Sequence, residues 1–490
     1  MVSNTMGGQP MDAPTKDEES TTDAPTSRGT AGPRRRDWFT LGVVAATALG
    51  LAIRLFYIFV RRPTCVDDVV DGTCFRVWGD ALYSHWQGRL LADGEWFVNG
   101  WQYAQEGRIQ DSAGDPPFYA TFLGILSFVG IESGTSHRVA SAIVGCVAIV
   151  LVALIARRLS GPLAGVIAAV LAAIHPMLWI NDIMLMSEAL YAPLVLLTVI
   201  AAYRFIDEPT YGRVALLGLS ISIAALTRAE AAFLFGFMVL PLIFWVIKVG
   251  WGRRFALLAV CWAVGIATLA PWLGYNLARF EEPVLMTSAT GAVLMAGSCD
   301  TAWEGDSLGY WALCFDQREL WDDLEAAYPG STLDPPDQVV YDESVIDAWN
   351  REQAVEYITD NTDRLPVVVA ARIGRALEVY RVSHTLNLNW RIEGRGKLPS
   401  TVGLWLYYLL VPLTLLGFVD LRRRRISLTP LLSFWGAVLL AVATTFGVTR
   451  YRLPIDLAMI IAGAIGAAWL IGRFTARLEP APPDSRGPST

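Results

Sequence analysis

Two carboxylates in this sequence lie close to apolar runs, where an acidic residue is unusual unless it has a chemical or structural role. Asp80 follows Gly79 at the start of a predicted short helix, soon after the first long apolar run, and Glu188 opens a later apolar run. A carboxylate at a boundary between water and lipid can accept a proton from a hydroxyl of an amphiphilic substrate. The alternative for each acid is a helix cap or a first-turn charge, which these residue types also favour.

The helix that begins at Asp80 is predicted to lie on the membrane surface. Tyr83, Trp86 and Leu90 recur in it at helical spacing and would rest on the lipid headgroups. Tyr83 and His85 are therefore candidates for binding a substrate beside Asp80. The alternative for His85 is a surface histidine without a ligand.

Two further acids are candidate binding residues. Asp115 precedes Pro116 and Pro117, and because proline is favoured in the first turn of a helix, the sequence predicts a helix start there with Asp115 as its cap. The alternative is that Asp115 only starts the helix. Asp182 lies just before Glu188 and would be near it at the same end of an apolar run.

Three arginines are predicted at outer ends of apolar runs, although basic residues usually collect on the cytoplasmic side. Arg228 lies between two runs, while Arg450 and Arg452 precede the last run. Their forked donors suit a phosphate group at the depth of the lipid headgroups. The alternatives are a salt bridge from Arg228 to Glu188 or Glu230, and headgroup anchoring by the later pair.

The elements that must position these residues are membrane helices. The chain has 490 residues, of which 53% are hydrophobic and 17% charged, and its mean hydropathy is +0.40. These values predict an all-α polytopic membrane protein, and the net charge of -7 argues against nucleic acid as a partner. The apolar runs that could span are 38–60, 136–157, 161–177, 188–206, 213–228, 231–248, 255–273, 401–419, 428–448 and 453–472.

Basic clusters at alternate ends of these runs place both termini in the cytoplasm. This threading predicts a membrane module over 37–273 that includes an outer loop at 61–135, a larger outer loop region over 274–400, and C-terminal membrane helices over 401–473. Polar composition predicts disordered tails over 1–36 and 474–490.

Two helices are predicted in the outer loops. Phe118–Ile131 is apolar but its 14 residues give about 21 Å of helix, less than the roughly 30 Å of a bilayer core. It is predicted as a juxtamembrane helix, and the alternative is that it spans. Residues 347–381 are predicted as an amphipathic surface helix that Pro366 kinks or divides.

The cysteines give independent information on the outer side. Cys65 and Cys74 fall in the first outer loop, and Cys299 and Cys314 in the larger one. Two local pairs in outer loops predict two disulfides in an oxidising compartment. The alternatives are free thiols or a metal site that adds the three aspartates between the first two cysteines, at a spacing that matches no common zinc pattern.

The order of these features resembles the GT-C superfamily of integral-membrane glycosyltransferases, over roughly residues 40–470. The matching elements are Gly-Asp-Ala-Leu-Tyr, the two prolines after Asp115, Ser-Glu-Ala-Leu, Leu-Thr-Arg, Pro271-Trp272 with Asn276, Gly291 to Gly297, and Arg450-Tyr451-Arg452-Leu453-Pro454. The chain is most similar to the bacterial branch related to protein O-mannosyltransferases, aminoarabinose transferases and rhizobial lipopolysaccharide glycosyltransferases. This implies a bundle of about 10 to 12 transmembrane helices with juxtamembrane helices in the first outer loop.

The resemblance implies transfer of a sugar from a polyprenyl-phosphate-linked donor to a lipid, glycan or protein acceptor, with inversion, at the outer face of a bacterial plasma membrane. Asp80 matches the family's first-loop acid, a general base or acceptor-orienting group, and Glu188 matches its second acid. A divalent metal is a further cofactor to consider. Asp80-Ala81 stands where the family often has two acids, Asp115 where it often has His or Lys, and Tyr275 where it usually has Arg.

Two other functions remain as alternatives. A transporter or flippase of lipid-linked sugars would place its polar sites near the bilayer midplane, whereas the candidates here collect at outer ends of the runs. In a non-catalytic assembly protein, both acids would be caps.

Overall fold

The computed structural model describes residues 37–65, 74–314 and 342–478. Every regular element in these ranges is a helix, and the described residues from Phe39 onward form one compact unit. Helices that are long and apolar enough to cross a membrane number seven in these ranges. They are α1 (Trp38–Phe56, continued by Tyr57–Arg61), α5 (Gly134–Ser160), α8 (Glu188–Asp207), α10 (Ala229–Val246), α11 (Trp251–Arg279), α17 (Lys397–Arg423) and α19 (Leu453–Leu478, preceded by Thr449–Arg452).

Four shorter helices complete the set of predicted spans. They are α6 (Pro162–Ile174), α7 (Pro176–Ile183), α9 (Tyr211–Ala225) and α18 (Thr429–Thr444). Helices α6 and α7 meet at a bend of 49° and count as an eighth span if they are taken together. Each of the ten apolar runs therefore corresponds to a helix or to this bent pair, and the predicted fold class is confirmed.

The bend between α6 and α7 follows from one proline. Pro176 takes the first turn of α7, and His175 before it adopts an extended conformation with ψ of 113°. A residue that precedes proline is sterically pushed out of the helical region, so the apolar run cannot continue as one straight helix. The predicted run at 161–177 is therefore one part of a bent helix pair.

The remaining helices lie in the loops. They are α2 (Asp80–Ala92), α3 (Gly100–Glu106), α4 (Pro117–Phe128), α12 (Thr290–Ala296), α13 (Asp300–Trp303), α14 (Glu343–Asp360), α15 (Leu365–Ala376) and α16 (Val382–Arg391). The predicted short apolar helix after the two prolines is α4. Pro366 falls in the first turn of α15 and separates it from α14, as the sequence predicts.

Helix α2 is packed inside the protein, which corrects the prediction that it rests on lipid headgroups. Leu90 is buried, and Tyr83 and Trp86 are half-buried. A Cβ added to Gly88 would lie 2.6 Å from the Cβ of Leu123 on α4, so the two helices cross at a glycine contact. This close crossing fixes the direction in which α2 presents its first residue.

Both cysteine pairs form disulfides, with Cα–Cα distances of 5.1 Å for Cys65–Cys74 and 5.6 Å for Cys299–Cys314. A disulfide leaves no thiolate to bind a metal, so the alternative of a cysteine metal site in the first loop is wrong. The three aspartates between Cys65 and Cys74 lie outside the described residues.

Candidate active site

Charged residues from five separate parts of the chain meet in one place, which we call the charge cluster. It begins where α2 and α8 start, and it includes the turn before α4, the turn after α9 and the turn before α19. Its members are Asp80, Asp115, Glu188, Arg228, Glu230 and Arg450. The sequence separation within it reaches 370 residues, between Asp80 and Arg450.

The first contact of the cluster is an ion pair between Asp80 and Arg450. Gly79 has a φ of +60°, a left-handed conformation that lets the chain turn sharply into α2. Asp80 is the first residue of that helix, and its Oδ2 accepts a hydrogen bond from Nη1 of Arg450 at 2.5 Å. The charge of Arg450 is the largest effect on Asp80 and lowers its pKa.

Arg228 makes the second set of contacts. Its Nη1 lies 2.9 Å from Oε1 of Glu188, and its Nε donates to Oε1 of Glu230 at 2.6 Å. The ring of Tyr451 lies near both arginines, with its centre 5.4 Å from Cζ of Arg228 and 5.7 Å from Cζ of Arg450. The two guanidiniums therefore share one aromatic neighbour. The contacts of Arg228 with Glu188 and Glu230 are the salt bridges that its alternative predicts.

Glu188 is buried at the start of α8, with 1% of its side chain exposed. The capping alternative assigns Ser187 as the helix cap, but Ser187 makes no side-chain cap and instead accepts a hydrogen bond from Arg228 at 3.3 Å. Both carboxylate oxygens of Glu188 lack a well-aligned hydrogen-bond donor among the described residues. Its charge is balanced by Arg228 through proximity alone.

Asp115 faces the same space from the turn before α4. Phe118 N–H donates to Leu226 O at 2.9 Å, and this bond ties the start of α4 to the turn that carries Arg228. Burial and then the negative charge of Asp80 raise the pKa of Asp115 to about 7. The charges of Arg228, Arg450 and Glu188 also act on it, which places Asp115 within the cluster.

Parts of this chain are similar to known proteins. The family model described as dolichyl-phosphate-mannose-protein mannosyltransferase matches residues 114–275, a stretch that contains Asp115, Glu188 and Arg228. No curated protein sequence matches the chain significantly. Among solved structures, the chain is similar to the archaeal oligosaccharyltransferase AglB from Archaeoglobus fulgidus in complex with an inhibitory peptide and a dolichol-phosphate, with 16% identity and a TM-score of 0.50.

That alignment covers 92% of this chain and 53% of AglB, so the chain spans about half the length of that protein. A second similar structure is ArnT from Cupriavidus metallidurans bound to undecaprenyl phosphate, with 15% identity, a TM-score of 0.40, and coverage of 88% of this chain and 77% of ArnT. The fold resembles that of GT-C membrane glycosyltransferases.

Two of the predicted binding residues, Arg452 and Asp182, are paired with other buried residues, which corrects their prediction as ligand-binding residues. Arg452 is fully buried and bridges Glu378 and Asp456, each at 2.9 Å. Asp182 is buried against Arg54 at 2.6 Å. The side chains of Arg452 and Asp182 are 0% and 4% exposed, so these paired residues stabilise helix packing. Arg228 is also paired, but 13% of its side chain is exposed.

Tyr83 and His85 both contact other side chains of the protein. The Tyr83 hydroxyl contacts Ser112 Oγ at 2.9 Å and accepts from Gln87 Nε2 at 2.9 Å. Nδ1 of His85 lies 3.0 Å from Nδ1 of His137 on α5, and burial is the main cause that lowers the pKa of His85 to about 3. These contacts hold α2 in place, and through it Asp80.

The structure adds one residue that the sequence analysis misses. Arg395 precedes α17 and is 3% exposed, and its guanidinium donates to the Met177 sulfur at 3.7 Å. The charges of Glu188 and Arg450 act on it. Its sequence, Glu-Gly-Arg-Gly-Lys, looks like an ordinary basic end of a span, so no local signal distinguishes it.

The described residues contain no group of three or more histidine, cysteine, aspartate or glutamate side chains arranged to hold a metal ion. Within the cluster, Asp80, Glu188 and Glu230 contact arginines instead. These side chains therefore do not provide a ligand set for the divalent metal that the sequence analysis adds as a possible cofactor.

Proposed function

We propose that the protein is a glycosyltransferase that moves a sugar from a polyprenyl-phosphate-linked donor to a lipid, glycan or protein acceptor, at the outer face of the plasma membrane and with inversion. The observation that carries the proposal is the meeting of Asp80, Asp115 and Glu188 with Arg228 and Arg450 in one cluster. The family model and the GT-C fold support the reaction class.

The two arginines supply the chemistry for the leaving group. A polyprenyl-phosphate sugar carries one negative charge on its phosphodiester, and its phosphate monoester product carries up to two. Guanidiniums fixed on one edge stabilise the charge that develops as the bond from the sugar to the phosphate breaks. Arg228 and Arg450 share the ring of Tyr451, so one phosphate can contact both.

The acids supply the chemistry for the acceptor. A hydroxyl that attacks the anomeric carbon must lose its proton, and a carboxylate within hydrogen-bond distance can orient the hydroxyl and accept that proton. Asp80 has 53% of its side chain exposed and can contact such a hydroxyl, whereas Glu188 is buried and holds Arg228 in position. Direct attack opposite the departing phosphate inverts the anomeric centre.

Outer-face sidedness is supported by the two disulfides and the ends of the helices. The cluster lies at the start of α8 and the start of α19, while basic residues such as Arg157, Arg204 and Arg422 lie in the last turns of α5, α8 and α17. Basic residues prefer the cytoplasmic side, so this polarity favours a site on the opposite side.

A transporter or flippase is the second candidate. It would need polar groups that a substrate meets near the middle of the membrane. The charge cluster lies at helix ends, which favours transfer over transport.

Transfer from a labelled donor tests the proposal. Full-length protein in liposomes would receive radiolabelled polyprenyl-phosphate sugars, and both transfer and release of polyprenyl phosphate would be measured. We expect Asp80→Asn to slow the reaction roughly 100-fold or more while the protein inserts normally. The matched control is Asp207→Asn at the far end of α8, where the acid pairs with Arg158.

The control should keep full activity. Full activity in Asp80→Asn would remove Asp80 from the mechanism. Movement of labelled lipid across the bilayer without any transfer would favour the transporter instead.

A further inference from the structure

Asp115 differs from the other acids of the charge cluster in having no partner. Asp80 is bonded to Arg450, and Glu188 and Glu230 both contact Arg228. No hydrogen bond or ion pair involves the carboxylate of Asp115 among the residues that the structure describes, and its side chain is half-buried. One carboxylate in the cluster is therefore available to a ligand.

The backbone around Asp115 is held from several sides. Thr287 Oγ1 donates to Gly114 O at 2.6 Å, and Ser288 N–H donates to Ala113 O at 2.9 Å. Glu343 Oε2 accepts from Ala113 N–H at 3.2 Å. A carboxylate without a partner on a fixed turn is preorganised for a ligand, because little backbone freedom is lost when it binds.

We propose that Asp115 takes the proton from the acceptor hydroxyl, while Asp80, held by Arg450, orients that hydroxyl. This assignment rests on the proposed function and divides its two acid roles between two residues. An ion pair suits Asp80 to orientation, since a carboxylate already bonded to a guanidinium is a weak proton acceptor.

The step balances in atoms and charge. The hydroxyl O–H bond breaks and its proton goes to Asp115, while the hydroxyl oxygen forms a bond to the anomeric carbon of the sugar. The bond between that carbon and the phosphate oxygen breaks, and its electron pair leaves with the polyprenyl phosphate. No oxidant, reductant or further reactant takes part.

The proton transfer to Asp115 and the departure of the phosphate are coupled through electrostatics. The phosphate gains negative charge as it departs, and a growing negative charge near Asp115 raises its affinity for a proton. Burial and Asp80 already bring the pKa of Asp115 to about 7, so about half of the carboxyl groups are ionised at neutral pH and can accept the proton, and more are ionised above it. The charged and titratable groups that face it are Asp80, Tyr83, Glu188, Arg228 and Arg450.

Proton uptake on product binding tests the assignment without knowledge of the sugar or acceptor. Calorimetric titration of full-length protein in detergent with a short-chain polyprenyl phosphate, in buffers of different ionisation enthalpy at pH 7.5, gives the number of protons taken up. We expect the intact protein to take up roughly half a proton more per site than Asp115→Asn, because bound phosphate raises the pKa of Asp115 by a unit or more.

Two further variants keep the result interpretable. Asp115→Glu keeps a carboxylate at this position and should keep the uptake, which separates loss of the acid from damage to the fold. Asp111→Asn changes an exposed acid on the same segment, 3.8 Å from Arg279, and should behave like the intact protein.

The pH dependence of transfer gives a second measurement. Asp115 must be ionised to accept a proton, so transfer should rise as pH increases through about 7. In Asp115→Asn the residual rate should fall roughly 100-fold or more and lose this rise.

Equal proton uptake in the intact protein and Asp115→Asn would overturn the assignment, and so would an unchanged pH profile. Failure of polyprenyl phosphate to bind at all would overturn the proposed function together with the assignment. The two failures are therefore distinguishable in one titration.

Discussion

Arg450 and Arg452 are two residues apart, yet their partners give them different roles. Arg450 pairs with an exposed acid, Asp80, at the edge of the charge cluster. Arg452 is completely buried between Glu378 and Asp456 and stacks on Tyr407 at 3.7 Å. The first keeps 18% of its side chain exposed, and the second is part of the packing of α15, α17 and α19.

The two arginines therefore give a matched pair of variants. Arg452→Gln should lower the free energy of unfolding by roughly 3–5 kcal/mol, because it leaves two buried carboxylates without their cation. Thermal unfolding of the detergent-solubilised protein measures this loss.

Arg450→Gln should leave the protein folded, since its partner Asp80 is solvated when unpaired. We expect this variant to weaken binding of polyprenyl phosphate about tenfold or more, through loss of a charge-assisted hydrogen bond. A titration with polyprenyl phosphate measures it. The opposite pattern, with Arg450→Gln unfolded and Arg452→Gln weak only in binding, would contradict this division.

The sequence reveals that both arginines are unusual but not which one is available. An arginine at a helix end that is predicted to lie on the outer side is anomalous in either case. Asp456 lies one helical turn after Arg452 and can be noticed, but Glu378 is 74 residues away and joins the pair only through the fold. The same limit hides the contact of Asp182 with Arg54, which is 128 residues distant.

At the scale of elements, the contact between α2 and α4 decides where Asp80 and Asp115 sit. Asp80 starts α2 and Asp115 precedes α4, so the crossing of these helices sets the relation of the two acids. The crossing is close because Gly88 faces Leu123, and Gly124 lies against Leu91. Small residues on both helices allow their backbones to approach.

Gly88→Ala tests this contact. The added Cβ would lie 2.6 Å from the Leu123 Cβ, a clash that must displace one helix. We expect a loss of roughly 1–3 kcal/mol in stability together with reduced transfer, because the acids move apart. Thermal unfolding and the transfer assay measure the two effects.

Gly252→Ala on α11 is the control, since its added Cβ would meet no atom within 4 Å. It should be neutral or slightly stabilising, because alanine is the better helix former. Equal effects of the two substitutions would show that the crossing does not depend on a small residue.

The sequence predicts α2 as a helix but assigns its environment wrongly. The recurrence of Tyr83, Trp86 and Leu90 is compatible with a lipid surface or with a protein partner, because aromatic and apolar side chains suit both. The signal for a protein partner is the pair of small residues Ser84 and Gly88. They lie one turn apart on the face of α2 opposite to Tyr83, Trp86 and Leu90. That signal gains meaning only when Gly124 is known to face it.

For the whole molecule, hydropathy predicts the helices well and their assembly hardly at all. In lipid every backbone polar group must form a hydrogen bond within the protein, so a long apolar run is expected to form a helix. The charge cluster instead depends on which helix ends become neighbours. No local sequence pattern predicts that Arg450 contacts Asp80.

Membrane sidedness is a prediction at this scale. A cysteine introduced at Asp363, exposed between α14 and α15, should react in intact cells with a maleimide that cannot cross membranes. A cysteine at Lys248, exposed between α10 and α11, should react only after permeabilisation. The reverse pattern would place the cluster on the cytoplasmic side and contradict transfer at the outer face.

The most direct test of the account is the position of a bound phosphate. An experimental structure of the full chain in a lipid nanodisc with polyprenyl phosphate should show phosphate oxygens about 2.7–3.2 Å from the guanidiniums of Arg228 and Arg450. The prenyl chain should leave between helices toward the lipid. A phosphate bound beyond the reach of both arginines would contradict the account.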